Sequence, residues 1–289
     1  MGLVAYNTRV FVEVLKYVAF STTPAGGNPA GVMLDATGVD DATMAKIAEH
    51  VGFSETAFVV PRPDGGLDVR YFSPLIEVPF CGHATIAAAV AHASRRGPGE
   101  LLMHTKAGPI RVDTAVNAEG LMCATLVSVP PKTAPIPSSE LSGLLAALKW
   151  SPAELDPALP PRAAYAGVWH PVIAARTRSR LAELDYEMPV LAEVMRRNDW
   201  ATVDLVWRES PEVFHARNPF PPGGVVEDPA TGAAAAALGG YLRELGLVEV
   251  PGTVTVHQGH DMGRPSTITV SIPESPDSGI SVTGTAVPL

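Results

Sequence analysis

Apolar and polar residues alternate well enough from 10 to 20 to predict a strand, and the cluster Pro24, Gly26, Gly27 and Pro29 then forces a turn before GVMLD. Met44, Ile47, Ala48 and Val51 recur at helical spacing, which predicts a short helix over 40–50. SETAFVV (54–60) and LDVRYFS (67–73) read as strands joined by the turn Pro63-Asp64-Gly65-Gly66. An alanine-rich helix is expected over 84–94, stopped by Gly97-Pro98-Gly99, with strands at 101–105, 109–114 and 121–127. The stretch 129–161 contains PPKTAPIP and DPALPP and is expected to link two domains, with one helix (139–149) inside it. Strands near 163–175 and 203–208 then lead to a second alanine-rich helix over 230–244. Strands at 253–257, 267–272 and 279–287 close the pattern.

The two alanine-rich segments suggest a repeat. Setting 81–91 over 227–237 makes six of eleven positions agree (Ala84/Ala230, Thr85/Thr231, Ala87/Ala233, Ala88/Ala234, Ala89/Ala235, Ala91/Ala237). Five of those are alanine, so composition alone could produce the match. Arg70-Tyr71-Phe72-Ser73-Pro74 and Arg217-Asn218-Pro219-Phe220, one ahead of each segment, strengthen it. Side chains this small let strands wrap closely around a helix. Each half is therefore expected to bury its helix centrally and to point that helix's N-terminus into the space between the halves.

Composition narrows the function. At 289 residues, with 46% hydrophobic and 18% charged residues, the chain is long enough for one large or two ordinary packed domains. The net charge of −9, without a Lys/Arg run, argues against nucleic acid or an anionic membrane as partner. Arg9, Glu13 and Lys16 interrupt the apolar opening residues, so neither a signal-peptide core nor a span of about 20 apolar residues is expected there. Two cysteines cannot build a disulfide framework, and a reducing cytoplasm fits best. No G-x-S-x-G, Walker A, dinucleotide G-x-G-x-x-G or H-E-x-x-H motif supports serine hydrolase, nucleotide, nicotinamide or zinc-hydrolase chemistry.

Candidate chemistry concentrates at the helix starts. A buried helix N-terminus offers unpaired N–H groups and about half a positive charge, a seat for a carboxylate or a developing oxyanion. Cys81-Gly82-His83 puts a thiol and an imidazole at the first start, where the helix dipole lowers thiol pKa and favours neutral imidazole. Asp228-Pro229 precedes the second, where the acid can cap the helix or face a ligand. Glu55 stands alone among apolar neighbours in Phe53-Ser54-Glu55-Thr56-Ala57-Phe58; it is either a solvated edge residue or a carboxyl raised by burial toward general acid/base work.

Together these motifs resemble the phenazine biosynthesis PhzF-like family, relatives of diaminopimelate epimerase and proline racemase. The resemblance is carried by GNPAGV (27–32), SETAFV (54–59), RYFSPLIEVPFCGHATIAAA (70–89), EDPATGAAAAALGGYL (227–242), Gln258-Gly259 and Gly263-Arg264-Pro265-Ser266. It implies an α/β (α+β) protein of the diaminopimelate epimerase-like fold: two similar domains, each a mixed, barrel-like sheet around a central helix. These would be 1–128 with a returning 278–289, and 129–277, with the site in the cleft and no metal or organic cofactor. It also implies that Glu55 is the general base, that His83 and Asp228 assist it, and that Asn28, Gly82, Thr231, Gly232 and Ala233 hold the substrate. Two departures concern the substrate: Ala233 stands where the phenazine enzymes carry Ser, and Ala19 where the family often has Asp.

The function implied is a cofactor-independent isomerase of secondary metabolism, a cytoplasmic homodimer moving a proton within a small unsaturated amino or carboxylic acid. Two other readings stay open. One is an amino-acid racemase or epimerase using Cys81 and an opposing acid, and the other is a catalytically idle small-molecule-binding protein.

Overall fold

The computed structural model describes residues 13–289 throughout and residues 2–6 and 10–12 as strand backbone. The strand expected from the opening residues is present as β1 (Gly2–Tyr6) and β2 (Val10–Ala19), an antiparallel pair; residues 1 and 7–9 lie outside the described residues. The chain divides into two compact units: unit 1 runs to Val127 and includes Thr283–Leu289, and unit 2 is Ser128–Val282.

Unit 1 continues with β3 (Asn28–Met33), α1 (Asp41–Val51), β4 (Glu55–Pro61), β5 (Leu67–Phe72), β6 (Glu77–Val78), α2 (Gly82–Arg96), β7 (Gly99–Thr105), β8 (Gly108–Val116) and β9 (Met122–Val127). β3 pairs antiparallel with β2 and parallel with β4; β5 pairs antiparallel with β4 and parallel with β7, from which β8 and β9 follow as antiparallel neighbours. The chain's last strand, Ser281–Pro288, pairs with both β9 and β2, which closes an eight-stranded barrel. α2 packs against β2, β3, β4, β8 and β9, and every residue from His83 to Ala91 is buried. Alanine makes this possible, since a bulkier side chain on every face would force the strands off the helix. α1 lies against β4 and β5 and buries Met44, Ile47, Ala48 and Val51, the four residues whose spacing predicts it. The Asp40 carboxylate accepts from the Thr43 N–H at 2.8 Å and caps its start, and Gly52 ends it in the left-handed region.

Unit 2 comprises β10 (Lys132–Pro135), α3 (Ser138–Leu148), β11 (Arg162–Tyr165), β12 (Trp169–Ala174), α4 (Arg178–Ala182), α5 (Met188–Arg197), β13 (Asp204–Ser210), β14 (Val213–Phe220), β15 (Val225–Asp228), α6 (Gly232–Glu244), β16 (Gly252–Gln258) and β17 (Ser266–Ile272). Its pairing repeats that of unit 1: β11–β12 antiparallel, β12–β13 parallel, β13–β14 antiparallel, β14–β16 parallel and β16–β17 antiparallel. α6 packs on β10, β11, β12 and β17 and buries Ala234 through Leu242. Both alanine-rich helices are thus central to their units.

Two expectations need correction. The proline-rich stretch 129–161 is more than a link: its prolines sit outside the helix, and the Leu-rich face of α3 joins the unit 2 core through Leu144, Leu145 and Leu148 beside Trp150, Leu191 and Trp200. The two helices are also out of step with the sequence alignment by one helical turn. Cys81 and Thr231 are the equivalent N-caps, so Gly82 matches Gly232, and runs of identical alanines conceal the slip. Among the described residues, no helix is long and apolar enough to cross a membrane.

Candidate active site

In unit 1, two strand starts and one helix start bring the expected residues together. Gly27, at φ +61, makes the turn into β3; a Cβ there would strike the Ala19 carbonyl and the Val18 side chain, so only glycine seats Asn28 as the first residue of β3. Glu55 opens β4, and its ladder partner in the parallel strand is Ala30, two residues beyond Asn28. α2 opens on Gly82 and His83, with Cys81 as an N-cap whose side chain makes no capping bond. A Cβ on Gly82 would meet nothing within 4 Å, so the space beside this residue is open.

His83, only 6% exposed, is the hub. The Asn28 amide nitrogen lies 3.1 Å from its Nδ1. An amide nitrogen can only donate, so Nδ1 accepts and the neutral ring carries its proton on Nε2. Nε2 lies 3.3 Å from Ser54 Oγ, its hydrogen-bond partner, and 3.4 Å from Glu55 Oε2, an ion-pair distance. The Cys81 thiol lies 3.4 Å from Nδ1. The Glu55 side chain is 16% exposed. The result is a partly exposed carboxylate beside a buried imidazole, with a thiol, a hydroxyl and an amide around the ring.

In unit 2, Asp228 ends β15, and Thr231, Gly232 and Ala233 begin α6, all half-buried. Thr231 Oγ1 donates to Asp228 Oδ2 at 2.6 Å. Asp228 is therefore tied to the N-cap threonine of the helix. Gln258, which sequence reasoning gave no role beyond its place in a motif, is the organiser here. Its Oε1 accepts the Thr231 N–H (3.0 Å), while its amide nitrogen donates to the Asp228 carbonyl (2.7 Å) and to Thr231 Oγ1 (3.0 Å). Gly259, at φ +76, turns the chain just after it, where a Cβ would strike the backbone oxygens of Arg264 and Pro229.

Ahead of each helix stands the same device. Arg70 grips Glu77 through Nε–Oε1 (2.8 Å) and a terminal nitrogen to Oε2 (2.7 Å), and Arg217 grips Glu227 through Nε–Oε2 (2.9 Å) and a second contact to Oε1. Such bidentate pairs fix the segment that delivers each helix start. The arginines are visible in the sequence repeat, but their partners are not, because a longer loop separates Arg217 from Glu227.

A sheet wrapped around an alanine-rich helix in each half is the arrangement of the diaminopimelate epimerase-like fold. The chain belongs to the phenazine biosynthesis-like protein family, whose model matches residues 17–289. A Deinococcus radiodurans protein described as an uncharacterised isomerase is 33% identical over 273 residues, covering 92% of this chain and 89% of its own. The trans-2,3-dihydro-3-hydroxyanthranilate isomerase of Pseudomonas fluorescens is 30% identical over 251 residues, covering 86% of each chain. The crystal structure of a PhzF-family phenazine biosynthesis protein from Bacillus anthracis superposes with a TM-score of 0.85 at 28% identity, over 96% of this chain and 97% of that one. A probable proline racemase from Agrobacterium radiobacter shares the fold at a TM-score of 0.62 and 14% identity, over 96% of this chain and 91% of its own.

Proposed function

We propose that this isomerase moves a proton within a small unsaturated amino or carboxylic acid without a cofactor, with Glu55 as the single acid/base. Glu55 takes a proton from one carbon, the electron pair shifts along the conjugated system, and the same carboxyl returns the proton to another carbon, so nothing is oxidised or reduced. His83, held by Asn28, stands beside Glu55 and steadies its charge. By the family resemblance, Asp228 assists the reaction and the N–H groups around Gly82, Gly232 and Ala233, with Thr231, bind the substrate. The observation that carries this reading is the 3.4 Å approach of His83 Nε2 to Glu55 Oε2, with Asn28, Ser54 and Cys81 around the same ring. The name of the Pseudomonas fluorescens relative supports the reaction class. The reading takes the protein to act as a homodimer in the cytoplasm.

Cys81, touching His83, favours a second reading: inversion at one carbon, with the thiol as one of two bases. Incubating candidate acids with the enzyme in D2O separates the two. Deuterium gained with migration of the double bond supports the isomerase, and deuterium gained with inversion supports the racemase. Absence of exchange across a panel of such acids counts against both.

A further inference from the structure

Apart from proton transfer, we infer that His215, His257 and His260 form an acid-operated release in unit 2: protonating these rings frees the turn 259–263 and loosens the hold of Gln258 on the start of α6. His215 on β14 and His257 on β16 are ladder partners in parallel strands, and His260 opens the single 3₁₀ turn His260–Met262 that follows β16. The ring centres lie 5.3 Å apart for His215 and His257, 5.4 Å for His257 and His260, and 6.2 Å for His215 and His260. The ring of Trp207 on β13 stands 5.3 Å from that of His215. The proposed reaction uses none of the three histidines.

Neutral rings suit this packing and charged ones do not. His215 Nε2 donates to Glu209 Oε2 of β13 at 2.5 Å. Nδ1 of His215 and Nδ1 of His257 are both buried without a hydrogen-bond partner, so a proton added to either finds no acceptor. The charged groups facing the cluster are Glu209, Asp261 within the turn, and Arg178 of α4, which donates to Asp261 Oδ1 at 2.9 Å. On the other side of β16, the ladder partner of His257 is the neutral Thr267. With neutral rings the two carboxylates outweigh Arg178, whereas with all three rings protonated the cations outnumber the carboxylates. Burial, and then the neighbouring His215, hold His257 and His260 below the usual histidine range. The stability they contribute is therefore whole above their unfolded value and is lost as pH falls toward the folded ones. The turn is the part that yields. It buries no residue, and Gly259 and Gly263, both at φ +76, flank it, whereas β14 and β16 are fixed within the sheet. Gly259 directly follows Gln258, whose side chain holds Thr231 and Asp228, so movement of the turn passes to the start of α6.

Hydrogen exchange tests this on the wild-type protein. Corrected for intrinsic rate, protection of residues 259–264 and of the Thr231 N–H should fall at least about tenfold between about pH 7.5 and about pH 5, the weight of one displaced pKa unit. The strand β16 should keep its protection. His260→Gln takes the third ring out of the repulsion and should cut the pH effect to less than about twofold. His50→Gln, on α1 of unit 1, should respond as wild type does. In NMR titrations His215→Gln should raise the midpoints of His257 and His260. Exchange that ignores pH, an equal loss in His260→Gln, a loss spread over β16, an altered response in His50→Gln, or unmoved midpoints would each overturn the release. Its effect on turnover rests on the proposed substrate-binding role of Thr231 and Gly232: KM should rise more steeply on acidification in wild type than in His260→Gln. If exchange responded as described while the two KM profiles coincided, that role would fall and the release would stand.

Discussion

Glu55 and Asp204 occupy the same place in the two units. Each is the first residue of its strand, and each is paired in a parallel ladder with a residue two positions beyond a polar side chain: Ala30 beyond Asn28, and Val172 beyond His170. Glu55 remains partly exposed beside an imidazole, whereas Asp204 is 1% exposed, and Asn218 donates to it at 3.1 Å. Thr202 joins Asn218 to His170 in the same buried chain. One copy of the repeat thus keeps an accessible acid, and the other seals its acid in.

Replacing Glu55 with Gln preserves shape and hydrogen-bonding capacity beside His83 but removes the proton acceptor. Turnover should fall by about 10²- to 10⁴-fold with little change in ligand affinity. Kinetics on the true substrate check this, and a wild-type rate would end the mechanism.

Burial pushes the Asp204 carboxyl up to about 7 from 3.8 and holds His170 down to about 4 from 6.5. The stability Asp204 contributes is present below its unfolded value and lost as pH rises through 7. That of His170 is present above its unfolded value and lost as pH falls toward 4. Between about pH 4 and 6.5 the two slopes oppose each other. Relative to wild type, Asp204→Asn should therefore grow more stable with rising pH in that window, and His170→Asn less stable, each by up to about 1.4 kcal/mol per pH unit. Urea unfolding at pH 4.5 and 6.5 measures both.

Arg217→Ala strands the buried Glu227 carboxylate and should destabilise the protein by about 3–5 kcal/mol. Arg70→Ala should cost less, because Lys106 still reaches Glu77 at 2.5 Å and the Arg70 side chain is 28% exposed. Calorimetric unfolding of the two variants tests the order.

Cys81→Ala should lower turnover by less than about tenfold. Thr231, not a thiol, stands at the equivalent N-cap in unit 2, so a pair of thiol bases is not built here. A loss matching that of Glu55→Gln would move the racemase reading ahead.

Sequence periodicity located both central helices and most strands because apolar faces in this fold are regular. β15 escaped it, because two of its four residues are exposed valines, whereas α5 carries the helical spacing in Leu191, Val194 and Met195 and still went unanticipated. The strand carrying Glu55 and the helix start carrying His83 were legible, since an isolated acid in an apolar strand and a Gly-His pair at a helix start break the local pattern. Their joining through Asn28 and Ser54 depends on strand register, which no local window contains. Asp204 gave no signal at all: VDLVW reads as an ordinary strand start, and only folding reveals that its carboxylate is sealed.

The eight-stranded barrel has a consequence for the order of events on the ribosome. Its last stave, Ser281–Pro288, is made only after all of unit 2, yet it must slide between β9 and β2. Unit 2, a single continuous segment, can assemble while unit 1 waits as an open sheet around its helix. The loss of a few C-terminal residues would therefore leave the half that holds Glu55 and His83 unclosed and prone to aggregation.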